Sequence, residues 1–224
     1  MTGGNRMRLA LAGAVVALAA GCSSDRGHQQ QGEGLRIAVQ TVRGIGQPRA
    51  AAPTGVPAGL TRAAIDGSPL PLLMATIEAT GATAVLGLSN TNAGTQSYAT
   101  SDRVVITLRD GVVISTAGFG PDLRSSAGPT GRQVAAGAGA TRRVHDYLDG
   151  TDTMFQVALD CTLAPGGSET VTLFERAYAT RIVTETCANG VQNRYWIEGS
   201  GKIRQSRQWI GADLGYLKIA DLSR

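Results

Sequence analysis

From Leu70 onward, apolar positions alternate with polar ones in short runs, and turn residues separate the runs. In residues 103–108, Val104, Ile106 and Leu108 share one face, the period-2 pattern of a half-buried strand. Arg109-Asp110-Gly111 interrupts the pattern and residues 112–116 resume it. Asp-Gly accepts the positive φ angles of tight turns, so this is a hairpin. Residues 72–79 and 84–88 are β-rich runs split by Thr80-Gly81. Residues 142–148 and 153–162 flank Asp149-Gly150 as a second hairpin. Pro165-Gly166-Gly167 is expected to turn the chain before a strand over 169–175, with the next strand over 177–186 and a turn at Asn189-Gly190. The last hairpin folds 194–198 onto 202–210 around Gly199-Ser200-Gly201, setting Glu198 opposite Lys202 and Trp196 opposite Arg204. The glycine-rich stretch 118–139 reads as irregular, and 35–42 as a short helix or edge segment. The pattern predicts a mainly β fold, a single antiparallel domain closed as a barrel or packed as a two-sheet sandwich.

The N-terminus follows a different logic. Arg6 and Arg8 precede an unbroken run of small and aliphatic residues over 9–20. That run of about twelve residues is shorter than the roughly 20 needed to span a bilayer core, so it reads as an export signal. It ends in Leu18-Ala19-Ala20-Gly21-Cys22, which resembles a bacterial lipobox. The expected organisation is a signal peptide over 1–21, a lipidated Cys22 with a polar tether over 22–34, and one β domain over 35–224. Ser23 after the Cys, by resemblance to Gram-negative lipoproteins, implies sorting to the outer membrane with the domain facing the periplasm.

Composition narrows the chemistry. Gly is 30 of 224 residues, which suits many turns better than long helices. A net charge of +4 demands no nucleic acid, and none is expected as a partner. Two His and three Cys leave no basis for a multi-His metal centre or a zinc ribbon, so neither metal nor cofactor is expected. With Cys22 spent on lipid, Cys161 and Cys187 remain, and an oxidising compartment favours their pairing over two buried free thiols.

Catalytic patterns are sparse. There is no G-x-S-x-G elbow, and His145 stands without an identifiable nucleophile. Gly199-Ser200-Gly201-Lys202 departs from a phosphate loop and Gly118-Phe119-Gly120-Pro121 from a dinucleotide fingerprint, so both read as turns. Asp146, Asp149, Asp152 and Asp160 lie along one hairpin, and two carboxylates facing one cleft would cut a glycosidic bond. Against that reading, Asp149 and Asp152 are also natural turn residues. The C-terminal hairpin carries Arg194, Lys202, Arg204 and Arg207 against Glu198, with Tyr195, Trp196 and Trp209 among them. Aromatic faces stack on sugar rings and guanidinium forks hold carboxylates. Arg194, Trp196, Arg204, Arg207 and Trp209 are therefore the candidate glycan- or partner-binding residues, unless the Trp side chains are core.

Several segments resemble the YjbF/GfcB family of lipoproteins. They are Leu108-Arg109-Asp110-Gly111 with Gly118-Phe119-Gly120-Pro121-Asp122-Leu123, then Tyr147-Leu148-Asp149-Gly150, then Tyr178-Ala179-Thr180-Arg181 running on to Cys187, and Tyr195-Trp196. The most specific piece is Ser206-Arg207-Gln208-Trp209 with Gly215-Tyr216-Leu217. The resemblance covers about residues 35–222. It implies a mainly β outer-membrane lipoprotein, an accessory factor of exopolysaccharide or group 4 capsule production without catalytic residues. It also implies that Cys161 and Cys187 are a shared pair. The expected partners are the outer membrane, through the N-terminal lipid, and either polysaccharide or outer-membrane secretion proteins. The alternatives are a periplasmic carboxylate-dependent glycan hydrolase and a structural partner of an outer-membrane β-barrel protein.

Overall fold

The computed structural model describes residues 55–224. The signal peptide, Cys22, the tether and the 35–42 segment lie outside the described residues. Twelve antiparallel strands follow in chain order: β1 (Leu72–Ile77), β2 (Thr83–Asn92), β3 (Thr95–Ala99), β4 (Val105–Arg109), β5 (Val112–Ala117), β6 (Ser125–Ala127), β7 (Gly139–Leu148), β8 (Met154–Leu173), β9 (Arg176–Cys187), β10 (Gln192–Glu198), β11 (Ile203–Gly211) and β12 (Gly215–Asp221). Two short helices join them, α1 (Arg62–Asp66) before β1 and α2 (Gly131–Ala136) between β6 and β7.

The strand order is β5-β4-β3-β2-β1-β12-β11-β10-β9-β8-β7-β6. It is an up-and-down meander whose first and last strands pair, with Ala75 opposite Ile219. The two edges, β5 and β6, are consecutive in the chain. Thr116 N–H donates to Leu123 O at 2.8 Å across that seam, and Leu123 N–H returns to Thr116 Oγ1 at 3.0 Å. The sheet is thus a nearly closed barrel, and the sandwich alternative falls away.

Turn chemistry explains the hairpins. Asp110 and Gly111 have φ of 50° and 83°, the left-handed pair a two-residue turn requires. Phe174-Glu175 makes the same turn with φ of 49° and 67°, without glycine. The chain therefore does not turn at Pro165-Gly166-Gly167, as the sequence suggests. There β8 continues through a bulge, with Pro165 opposite Val183 and Ser168 opposite Arg181. A bulge tolerates both the missing Pro N–H and the glycines. A second correction concerns 118–139, which contains β6 and α2 rather than irregular chain alone. Thr130 and Gln133 form a capping box at the start of α2. Gly131 is obligatory there, because a Cβ would sit 2.4 Å from Asp110 Cβ and Asp110 O.

Side chains alternate between two packed regions. Inside the barrel lie Leu73, Ala75 and Ile77 of β1 with Leu86, Ile106, Val113, Ile210 and Leu217. Val134 of α2 is fully buried beside Val183, Tyr195, Ile197 and Ile203. Outside, Leu72, Val85, Ile182, Trp196 and Leu222 form a second core covered by Ile65 of α1 and by Val171 and Leu173 of β8.

One ionic network is buried inside. Arg143 Nε donates to Glu185 Oε2 at 2.8 Å, joined there by Asn193 Nδ2 at 2.9 Å, while Thr141 Oγ1 donates to Glu185 Oε1 at 2.9 Å. Both charged side chains are at most 2% exposed, so the pair holds only because its polar atoms are satisfied. The expected bridge between Cys161 and Cys187 is present, joining directly opposed residues of β8 and β9 with an S–S distance of 2.03 Å.

Candidate functional site

Register across the outer face sets two rows of side chains at right angles to the strands. Ile182, Trp196, Gln205, Ala220, Met74 and Val85 share one row, mostly under the α1 cover. Two residues further along, Thr184, Arg194, Arg207, Lys218 and Thr76 form the next. Beyond it Trp209 is opposite Tyr216 where β11 shifts register, and the Trp209 ring turns to the buried His145 instead of joining an outer row. The second row therefore aligns three cations on adjacent strands. Like charges directly opposed are destabilising unless neighbours compensate.

Here two carboxylates and two aromatic rings compensate. Glu78 accepts from Arg207 Nε at 2.7 Å and lies 3.0 Å from Lys218 Nζ. Burial alone would raise the Glu78 pKa, but hydrogen bonds from Lys218 and Arg207 outweigh it and hold the carboxyl below its usual range. Glu169 accepts from Trp196 Nε1 at 2.8 Å and from Arg194 Nη2 at 3.4 Å. The Arg207 guanidinium lies 3.3 Å from the centre of the Tyr216 ring, and that of Arg194 lies 4.7 Å from the centre of Trp196. Three cations face two carboxylates, so the row keeps a positive excess.

A groove of about 410 Å³ runs beside this row, lined by Arg194, Arg207, Thr184, Gln192, Ile182 and the Gly166-Gly167 bulge of β8. Arg194 and Arg207 side chains are 45% and 29% exposed. Arg194, hydrogen-bonded among the described residues only through its 3.4 Å contact to Glu169, presents an open fork that receives a planar anion bidentately, whereas Arg207 also donates Nη1 to the Gln192 carbonyl at 3.1 Å and keeps Nη2 for a ligand.

The five residues singled out on the C-terminal hairpin are not brought together. Arg194 and Arg207 share the groove. Trp196 is buried and supports Arg194 from beneath. Trp209 stacks on buried His145 with ring centres 5.5 Å apart and packs against the disulfide region. Arg204 points elsewhere, because β11 bulges opposite the Trp196–Ile197 step and Trp196 faces Gln205 instead of Arg204. Arg204 donates from Nε to Glu198 and from Nη1 to the Asp221 and Ser223 carbonyls at 2.9 and 2.7 Å, and covers Tyr178. It clamps the chain end. Glu198 does stand opposite Lys202, as the turn length requires.

Sequence reasoning missed Lys218, Thr184 and Gln192. The signal available was the alternation in 215–221, whose strand pairs with β1 far away in the chain.

The carboxylates of the β7–β8 hairpin serve local structure. Asp146 accepts from Ser125 and from Gln156 at 2.8 Å, and these hydrogen bonds hold its carboxyl below the usual range. Asp149 Oδ1 accepts the Thr151 and Thr153 amides at 2.8 and 2.9 Å, closing the turn. Asp152 occupies a left-handed turn position with φ of 58°. Asp160 pairs with Arg142 at 2.8 Å. His145 is 1% exposed, with Nδ1 3.0 Å from Tyr147 Oη. Burial, reinforced by the Arg143 charge, lowers its pKa to about 4, so the imidazole is neutral near pH 7. Gly118-Phe119-Gly120-Pro121 is a turn whose Gly118 and Phe119 amides bond the Asp122 carboxylate.

Comparison with known proteins agrees with this fold. The hypothetical lipoprotein YmcC from Escherichia coli (K12) superposes with a TM-score of 0.65 at 17% identity, over 75% of this chain and 90% of that one. At that identity the likeness concerns the fold. No curated protein matches the chain. Residues 33–222 match the YjbF family, described as group 4 capsule polysaccharide lipoprotein GfcB, and this chain belongs to that family.

Proposed function

We propose that this protein is a non-enzymatic accessory lipoprotein of capsule or exopolysaccharide export that binds an acidic segment of the polymer in its outer-face groove. Lipid on Cys22 anchors it to the outer membrane, the tether spaces it from the bilayer, and the barrel faces the periplasm. Arg194 takes the sugar acid bidentately, Arg207 adds a donor from Nη2, Lys218 adds charge at the end of the row, and Thr184 and Gln192 meet neighbouring hydroxyls. The single observation that carries this reading is the aligned Arg194, Arg207 and Lys218 row, with the Arg194 fork open beside a groove that Arg207 also lines. The hydrolase alternative loses its motivation, because Asp146, Asp149 and Asp160 are engaged in local hydrogen bonds and pairs, Asp152 occupies a left-handed turn position, and none of them lines this groove.

The test is a titration of the full chain with its host's secreted polysaccharide. Arg194→Gln with Arg207→Gln removes two charge-assisted contacts and should weaken binding by about tenfold or more. Undiminished binding by that double variant would overturn the groove assignment. Cys22→Ala should leave the membrane fraction; retention there would overturn the anchor.

A further inference from the structure

The interior core fills the barrel except at one end. There a cleft of about 640 Å³ opens between β3–β4 and β11–β12, beside α2. Its floor is apolar, made by Leu73, Leu108, Ile203 and Ile219. Leu73, Leu108 and Ile219 belong to the packed interior, so the cleft is a dead end rather than a channel.

Hydrogen-bonding groups that the fold leaves unused stand on this floor. Tyr98 is 3% exposed and lines the cleft, and no described residue hydrogen-bonds its hydroxyl. Burial, with the Asp221 charge, pushes the phenol up to about 12, so it keeps its proton as a donor. Gln96, two positions earlier on β3, shares that face and is half-buried, also without a described partner for its amide. Arg132 on α2 and Asp110 on the β4–β5 turn stand exposed at the rim, and neither is in an ion pair among the described residues. Lys202 and Arg204 on the opposite wall are paired with Asp221 and Glu198, so with Arg132 and Asp110 at the rim the cleft presents no net charge. A phenol, an amide, a guanidinium and a carboxylate above an aliphatic floor match ring hydroxyls above a C–H face. The volume falls within the roughly 300–1,000 Å³ of small-molecule sites.

We propose that the barrel mouth is a second binding site, which takes the uncharged sugar residues at the end of a glycan and hydrogen-bonds their hydroxyls through Tyr98, Gln96, Arg132 and Asp110. The dead end selects a chain terminus, whereas the outer groove lies along an open face. This site depends on none of the groove residues.

The experiment titrates the full chain in detergent micelles with neutral trisaccharides of glucose, galactose and mannose, followed by saturation-transfer difference NMR and calorimetry. At least one should bind saturably. Tyr98→Phe with Gln96→Ala should weaken that binding by about tenfold. Ser200→Trp, on the exposed rim turn, should block it without touching the core. Arg194→Gln should leave it unchanged, so failure here is distinguishable from failure of the groove. No saturable binding by any of the three sugars, or binding that survives in both the double variant and Ser200→Trp, would overturn the proposal. Near-UV circular dichroism confirms that each variant is folded.

Discussion

Acidification should destabilise this domain through one residue before its carboxylates respond. His145 is 1% exposed against Trp209 and Tyr147, and its Nε2 finds no hydrogen-bond partner among the described residues. Burial first, and the Arg143 charge second, lower its pKa from 6.5 to about 4, while Glu185 and Asp146 oppose them weakly. The unfolded chain takes up this proton near pH 6.5 and the folded chain does not. The unfolded state therefore binds more protons across the window from about 6.5 to about 4, and stability falls as pH falls through it. A difference of about 2.5 pH units corresponds to about 3 kcal/mol in full, of which about 2 kcal/mol is lost between pH 7 and pH 5. For a domain of this size that is about 4–8 °C in Tm. The assay is thermal unfolding by circular dichroism at pH 7 and pH 5, comparing the native chain with His145→Phe. Phenylalanine keeps a ring against Trp209 and cannot titrate, and Tyr147 Oη still donates to the Ile210 carbonyl at 3.2 Å. Asp66, Glu78, Asp146 and Asp149, whose pKa values are held low, also lose stability on acidification, but mostly below pH 5 and equally in both proteins. Parallel Tm changes in the two proteins would refute the reasoning.

Three further outcomes follow from the packing. Glu185→Leu strands the buried Arg143 charge and should cost about 3–5 kcal/mol, read as a lower urea midpoint. Arg204→Ala unclamps the C-terminus and should cost about 2–3 kcal/mol, whereas Arg207→Gln should change stability by under about 1 kcal/mol; equal effects would contradict their separate roles. Reducing the Cys161–Cys187 bridge, which closes a 26-residue separation, should lower stability by about 3 kcal/mol, measured by calorimetry with and without reductant.

Much of this fold was legible where local chemistry acts alone. Val104, Ile106 and Leu108 announced an inward face, and Asp110-Gly111 carried the φ angles of its turn in its composition. The same reasoning failed at Pro165-Gly166-Gly167, because glycine serves a bulge as well as a turn, and Phe174-Glu175 turns without a turn residue. The five- and six-residue helices are too short to show a helical period. Arg204 was misplaced because the β11 bulge sets Gln205 opposite Trp196 and leaves Arg204 to Glu198 and the chain end, and no residue type marks that bulge. Half of the candidate site was visible in Arg194 and Arg207. Lys218 was not, since it meets Arg207 through the β11–β12 hairpin and the expected strands stop short of 215–221. The mouth cleft was invisible because its residues come from six elements that only the folded barrel brings together.

The claim at the centre of this account is that the outer-face groove holds an acidic polymer. The most direct measurement is a titration of the full-length lipoprotein with its host's secreted polysaccharide, before and after chemical reduction of the polymer's carboxyl groups, at low and at physiological salt. The account predicts binding to the native polymer that weakens with salt, and weakening of about tenfold or more once the carboxyls are gone. Equal affinity for the native and the carboxyl-reduced polymer would contradict it.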